Sequence, residues 1–344
     1  MKQIMKKKYI LGALACLGGV CLLSCNRRGL GEPEQKYVGV ACYNESDAFV
    51  GELLTCFKEE CEERKLALTI RDAAGSQRTQ NDQVRELLEE GCNVLCVNLV
   101  DRTDPSEIID MAREKGVQVI FFNREPVMED LTQWDNLYYV GADAEQSGVM
   151  QGELAAQVVS EKDAMDRNQD GKIQYVILEG EMDHQDAIIR TESVTNTLEE
   201  CGVVLERLSY GIANWSRVQA QNRMTQIIEQ NPTEIELVLS NNDAMALGAV
   251  DAYKEKQYLK EEMPIFFGID GIRPGLNAVK SAELAGTVYN NKEKQAEVMA
   301  ELAYAIVKGK QSEEIGIESN QYIYIPYEKV TLENVSDFLA DKNE

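Results

Sequence analysis

Short apolar runs alternate with longer amphipathic segments along most of this chain, and that alternation is what most restricts its fold. The runs YVGVACY (37–43), LALTI (66–70), NVLCVNLV (93–100) and VQVIFF (117–122) are separated by helical periodicities near 47–64, 78–90 and 105–115. The pattern resumes with QYVILEG (174–180), VVLERL (203–208), ELVLS (236–240) and PIFFGID (264–270), with helices expected from Asp186, Asn214 and Asp243. Strands that are apolar throughout, instead of alternating between faces, belong to parallel sheets covered by helices on both sides. The expected fold class is therefore α/β, with doubly wound parallel sheets. In such sheets ligands bind beyond the carboxyl ends of the strands, so the polar residues that follow each run are the candidates for function.

The first residues address compartment. Lys2, Lys6, Lys7 and Lys8 precede an apolar run from Tyr9 to Leu23 that ends in Leu-Leu-Ser-Cys at Leu22–Cys25. A charged start followed by a short apolar stretch is an export signal. It is short for the roughly 20 residues of a membrane-spanning helix. The segment resembles the lipobox of bacterial lipoproteins, which implies removal of residues 1–24, lipid on Cys25, a flexible tether over 25–36 and a soluble body held on the outer side of the cell membrane. The whole chain carries a formal charge of −24, and losing the four signal lysines makes the remainder more acidic still. Such a surface repels phosphate backbones, so a nucleic-acid partner is disfavoured. Of nine cysteines, Cys16 and Cys21 lie in the signal and Cys25 would carry lipid. Cys42, Cys56, Cys61, Cys92, Cys96 and Cys201 show no zinc spacing and are expected as buried free thiols.

The stretch DRNQDGKIQ (166–174) sets oxygen-bearing side chains at alternate positions around a glycine turn. Asp166, Asn168 and Asp170 occupy positions 1, 3 and 5 of a calcium loop, Gly171 the turn, Lys172 the carbonyl position and Gln174 position 9. Position 12 is Ile177 instead of a bidentate Glu, so a remote acid has to complete the shell and the ion would be a structural clamp. A surface turn that binds nothing fits the same residues. At the strand exits stand Asp47 and Phe49, then Asn123, then His184, Asp186 and Arg190, then Trp215, Asn242, Asp270 and Asn290. Planar carboxylates, amides and a guanidinium match neighbouring sugar hydroxyls, while two aromatics suit the C–H faces of a pyranose ring. Taken singly these residues are also helix caps (Asp47, Asp186, and Asn214 or Asp243), turn formers (Asn123, Asn290) or core (Phe49, Trp215). Their joint placement favours a site.

The segments NLVD (98–101), FFNREP (121–126), YYVGAD (138–143), DRNQDGKIQ, the H-x-D-x-x-x-R of His184–Arg190, LSNNDAMALGAV (239–250), FGIDG (267–271) and LAGTVYNN (284–291) resemble the periplasmic galactose/glucose-binding proteins of bacterial sugar importers. The resemblance runs from about Lys36 to the C-terminus. It implies a type I periplasmic binding protein: two similar doubly wound lobes, 37–142 plus 291–325 and 143–290 plus 326–344, joined by three crossovers near Gly141–Asp143, Asn290–Asn291 and Ile325–Pro326. It implies D-glucose or D-galactose held by Asp47, Phe49, Asn123, His184, Asp186, Arg190, Trp215, Asn242, Asp270 and Asn290, with Phe49 and Trp215 sandwiching the ring and Asp47 at the hydroxyl where the two epimers differ. It also implies structural Ca2+ on Asp166, Asn168, Asp170, the Lys172 carbonyl, Gln174 and a remote Glu236. Glu45 departs from the pattern by adding charge at the cleft mouth, and Lys172 by setting a cation beside the metal. No catalytic role follows. The closed form would be read by membrane subunits of an ATP-driven importer; a chemoreceptor or sensor kinase is the alternative reader. A calcium-stabilised glycosidase using acids such as Asp186 and Asp270 ranks below both. A transcriptional regulator of this fold would need a DNA-binding helix-turn-helix where the signal stands.

Overall fold

A computed structural model describes residues 36–161, 165–182, 184–310 and 321–340. The expected export signal 1–24, the expected lipidation site Cys25, nearly all of the expected tether and the final residues 341–344 lie outside the described residues.

The apolar runs become strands because both of their faces are covered. β1 (Tyr37–Cys42), β2 (Ala67–Asp72), β3 (Val94–Val97), β4 (Gln118–Phe122) and β5 (Leu137–Gly141) alternate with helices α1 (Ala48–Glu63), α2 (Gln77–Glu89), α3 (Ser106–Lys115) and the single turn α4 (Met128–Leu131). Phe57 of α1 and Phe121 and Phe122 of β4 are fully buried. Each such side chain contributes on the order of 1.5–3 kcal/mol of transfer free energy. The chain then crosses to a second sheet through α5 (Ala144–Glu161) and builds β6 (Ile173–Glu179), α6 (Gln185–Glu200), β7 (Leu205–Ile212), α7 (Arg217–Gln230), β8 (Leu237–Ser240), α8 (Asp243–Glu255), β9 (Ile265–Phe267), α9 (Arg273–Lys280) and β10 (Gly286–Tyr289). α10 (Lys292–Val307) returns to pack on α1, β11 (Tyr322–Tyr324) pairs with β5, and β12 (Glu328–Thr331) pairs with β10.

The two sheets have one topology used twice: β11-β5-β4-β3-β1-β2 and β12-β10-β9-β8-β6-β7. The fold is α/β with two doubly wound sheets, as expected. The edge strand β12 departs from the parallel rule by running antiparallel to β10. Only three residues separate it from β11, too few for a helical return, so one extended segment enters the second sheet in the opposite sense. Strand order reverses between β1 and β3 in one sheet and between β6 and β8 in the other, which opens a crevice at the carboxyl end of each.

Two helix starts differ from the sequence expectation, and a third falls where expected but has a different cap. α6 begins at Gln185 and is capped by the His184 side chain, not by Asp186. α7 begins at Arg217 behind a Ser216 cap, because Asn214 and Trp215 both take left-handed backbone, at φ +48° and +61°. α8 begins at Asp243 with Asn242 as its cap. The strand expected over 203–208 lies at 205–212; it is an edge strand of mixed burial, so apolar composition marks it poorly. All six described cysteines are free. Cys42, Cys61, Cys92 and Cys96 are buried, Cys56 is half-buried, and Cys201, at the end of α6, is exposed against expectation.

Candidate functional site

On the first sheet the site begins at the exit of β1. Asp47 caps α1, its Oδ1 accepting the N–H groups of Phe49 and Val50 at 3.0 Å each, while its Oδ2 accepts the Tyr43 hydroxyl at 2.7 Å. A cap of this kind is worth about 1 kcal/mol and fixes the carboxylate for a ligand. Phe49, in the first turn of α1, belongs to the core of this lobe yet shows its face to the crevice. At the exit of β4, Asn123 stands at φ +60°, with its carbonyl accepting from Tyr139 Oη (2.9 Å) and its side-chain oxygen accepting from Asn98 Nδ2 (3.1 Å). Arg124 lies with its guanidinium 3.7 Å from the Tyr43 ring centre and donates to the Val100 carbonyl at 3.0 Å. It also pairs at 2.9 Å with Glu181, which follows β6, and so spans from one sheet to the other.

The second sheet supplies the opposite wall. His184 Nδ1 accepts the Asp186 N–H at 3.2 Å, so the proton sits on Nε2 and the ring is neutral. Burial, then the nearby Arg124, Arg190 and Arg102, hold its pKa well below the ordinary histidine value. Arg190 is buried between Asp186 (3.7 Å) and Asp270 (3.6 Å). Burial raises the pKa of both carboxyls, with Arg190 opposing the shift. Trp215 meets His184 edge-on at a centroid distance of 5.1 Å and lies against Gly180, where a Cβ would come within 2.2 Å of the indole. Any side chain at 180 would push the ring from its place. Asn242 caps α8 through Oδ1 and donates weakly to the Trp215 carbonyl at 3.4 Å.

These residues converge. Tyr43, Asp47, Phe49, Asn123, Arg124, His184, Asp186, Arg190, Trp215, Asn242 and Asp270 line one crevice between the sheets. Asn290 alone of the expected contacts stands behind that lining: its N–H bonds the Asp270 carbonyl at 3.0 Å and its side-chain oxygen accepts from Gln295. Tyr43 and Arg124 were missed by sequence reasoning. Tyr43 reads as the last apolar residue of a strand, and Arg124 follows directly on the Asn123 already chosen. Asn123, Trp215 and Asp270 all have positive φ, which costs on the order of 1–3 kcal/mol each and persists where the surroundings over-determine it. The walls offer carboxylate acceptors, amide and guanidinium donors and two aromatic faces, the equipment for a small neutral polyol.

The loop after α5 is a second candidate site. Asp166 accepts from the N–H groups of Asp170 (3.1 Å) and Gly171 (2.8 Å), and Asp170 Oδ1 accepts from Lys172 N–H (2.9 Å). Gly171, at φ +82°, makes the turn. Glu236, only 2 % exposed, points its carboxylate at the N–H groups of Arg167 and Gln174. Lys172 turns its ammonium outward to Glu206 at 2.9 Å. The amides of Asn168 and Gln174 donate to Asp170 Oδ2 at 3.2 and 2.8 Å. Two partial positive charges thus gather at Asp170 Oδ2, and half a turn of each amide would present oxygen to the same point. Among the described residues no three acids, histidines or thiols gather tightly enough to hold a metal by themselves, so such a shell needs these amide oxygens and a backbone carbonyl.

The model of the periplasmic binding protein domain matches residues 38–311. The chain belongs to the periplasmic binding protein family. It is 35 % identical over 310 residues to the D-galactose/methyl-galactoside binding periplasmic protein MglB of Haemophilus influenzae, covering 88 % of this chain and 91 % of that one. It is 28 % identical over 273 residues to a putative rhizopine-binding protein of Rhizobium meliloti, covering 79 % and 82 %. An ABC transporter solute-binding protein of Bacillus halodurans, solved with myo-inositol, superposes with a TM-score of 0.75 at 29 % identity, over 90 % of this chain and 98 % of that one. These relatives are binding proteins and not enzymes, and family membership makes this chain an exported, periplasmic-type binding protein.

Proposed function

We propose that this protein binds D-glucose or D-galactose in the crevice between its sheets and delivers the sugar to the membrane subunits of an ATP-driven importer. Family membership makes it a sugar-binding component of the ABC transporter type. The observation that carries the hexose reading is the convergence of planar donors and acceptors from both sheets around one crevice, with Phe49 and Trp215 on opposite walls. A galactose-binding relative at 35 % identity supports it. Asp47, fixed by three hydrogen bonds, would meet the hydroxyl at which the epimers differ, and a carboxylate accepts from either. Sugar touching both lobes, 37–142 plus 291–325 and 143–290 plus 326–344, would favour the closed arrangement about the three crossings. The test is calorimetric titration of the soluble body, refolded free of sugar, with D-glucose, D-galactose and D-ribose. Tight binding of a hexose with silent ribose supports the assignment; a folded protein that binds neither hexose overturns it.

We further propose that the 166–174 loop, with Glu236, holds a structural Ca2+. Asp166, Asn168, Asp170, Gln174, Glu236 and the Lys172 carbonyl would be its ligands, and the ion would clamp the start of β6 to the segment before β8. Lipid on Cys25 would keep the body beside the importer.

A further inference from the structure

We propose that Tyr327 is a positioning residue of the crevice, its phenol oxygen holding the Arg190 guanidinium in the attitude that leaves Nε free for a ligand hydroxyl. Arg190 is 4 % exposed, and a buried guanidinium has to find partners for its N–H groups. Nη1 donates to the Asn241 carbonyl at 2.8 Å and Nη2 to Tyr327 Oη at 2.9 Å. Nε is buried with no protein partner. The flanking carboxylates of Asp186 and Asp270, at 3.7 and 3.6 Å, are beyond hydrogen-bond distance. Charge-assisted bonds to a carboxylate are roughly twice as strong as bonds between neutral groups. An unrestrained Arg190 would therefore turn onto Asp186 or Asp270 and consume the oxygens that the crevice offers to a ligand. A phenol oxygen and a backbone carbonyl, one on each Nη, hold it between the two acids instead.

Tyr327 is placed to do this. It is 3 % exposed, its N–H donates to Gln146 of α5 at 2.7 Å, and it lies in the short segment between β11 and β12 that carries the chain from the first sheet to the second. Burial pushes its phenol up to about 12, so the oxygen stays a neutral acceptor. The attitude of Arg190 thus depends on the path of a segment that does not itself line the crevice.

The test is Tyr327→Phe, which keeps the ring and removes only the oxygen. In the sugar-free protein the Asp186 and Asp270 carboxyls are followed by carbon NMR against pH. The expected result is that one of them titrates at least about one pH unit lower in the variant, because the freed guanidinium closes onto it. Unchanged titration of both overturns the proposal. The second arm rests on the hexose reading: the variant should bind the preferred hexose about tenfold more weakly, and the difference should vanish for the single deoxy sugar that lacks the hydroxyl held by Arg190. Equal weakening across the 2-, 3-, 4- and 6-deoxy panel, or none, would reduce Tyr327 to a packing residue. Wild-type protein that binds no hexose refutes the hexose reading, and the carboxyl titration then decides the role of Tyr327 alone.

Discussion

Trp215 concentrates the residue-scale logic of the site. Its left-handed backbone is unfavourable for a bulky side chain, its ring needs a glycine at 180, and it is only partly buried, so neither packing nor helix formation accounts for its conformation. A ring held edge-on to His184 at that cost supports the proposed contact with sugar. Trp215→Ala is expected to weaken hexose binding by at least about tenfold, since the lost apolar contact is worth on the order of 1.5–3 kcal/mol. The sugar-free melting temperature should change little; unchanged affinity in calorimetry would remove Trp215 from the site. His184 is the only histidine of the chain, so its titration can be isolated. Its folded pKa is depressed below the unfolded value of about 6.5. Below pH 6.5 the unfolded state takes up a proton that the folded state refuses. Stability is therefore full above that pH and is lost as pH falls toward the folded pKa. Denaturant unfolding at pH 7.5, 6.0 and 5.0 should show the wild type losing stability relative to His184→Gln as pH falls, because the variant lacks this titration while both share the opposing slope of the buried acids.

At the scale of elements, the segments joining strands to helices carry the chemistry, and their anchoring is a matter of buried polar bonds. Asp243, the first residue of α8, is fully buried. It accepts from the Thr287 hydroxyl at 2.6 Å and from Ile272 N–H at 3.0 Å, tying α8 to the turn that bears Asp270. Burial raises its pKa to about 7 despite these bonds. The folded state here binds the proton more tightly than the unfolded state. The corresponding stability is complete below about pH 4 and is lost as pH rises through 7. Asp243→Asn should remove that slope, measured as the difference in unfolding free energy between pH 5 and pH 8. The 166–174 loop is anchored in a comparable way by Glu236. If it clamps Ca2+, Glu236→Gln should lower the melting temperature markedly in calcium and much less with chelator present. Equal losses in the two conditions would make Glu236 a buried acid that supports the loop and nothing more.

For the whole molecule, one sheet topology used twice sets two crevices mouth to mouth, with Arg124 and Glu181 joined across them. A ligand touching both walls stabilises the folded state by mass action, by about 2.7 kcal/mol at a hundredfold excess over its Kd. Saturating hexose should therefore raise the melting temperature and shrink the radius of gyration seen by solution scattering. A rise without shrinkage would confine the sugar to one lobe. At this scale the sequence was most legible: the apolar runs marked β1, β3, β4, β6, β8 and β9 and nearly all of their helices, because doubly covered strands have no polar face to dilute the signal. Of the four edge strands, β2 was marked by LALTI (66–70), and the other three were least legible. β7 was displaced by two residues at its start, and β11 and β12 passed unmarked, since an edge strand draws its stability from one neighbour and from long-range pairing.

The sequence by itself determined the α/β class, the strand exits at which Asp47, Asn123, His184, Asp186, Arg190, Trp215, Asn242 and Asp270 stand, and the spacing of the 166–174 loop. Those are local properties, written in periodicity and residue type. Tertiary structure alone decided how the exits face one another. It decided that Asn290 stands behind Asp270, that Tyr43 and Arg124 join the crevice wall, and that His184 and Asn242 cap their helices while facing it. It decided that Tyr327, 137 positions from Arg190, supplies the oxygen that holds it. A hydrogen bond between distant segments depends on the path of two chains through space, and no pattern within either segment encodes that path.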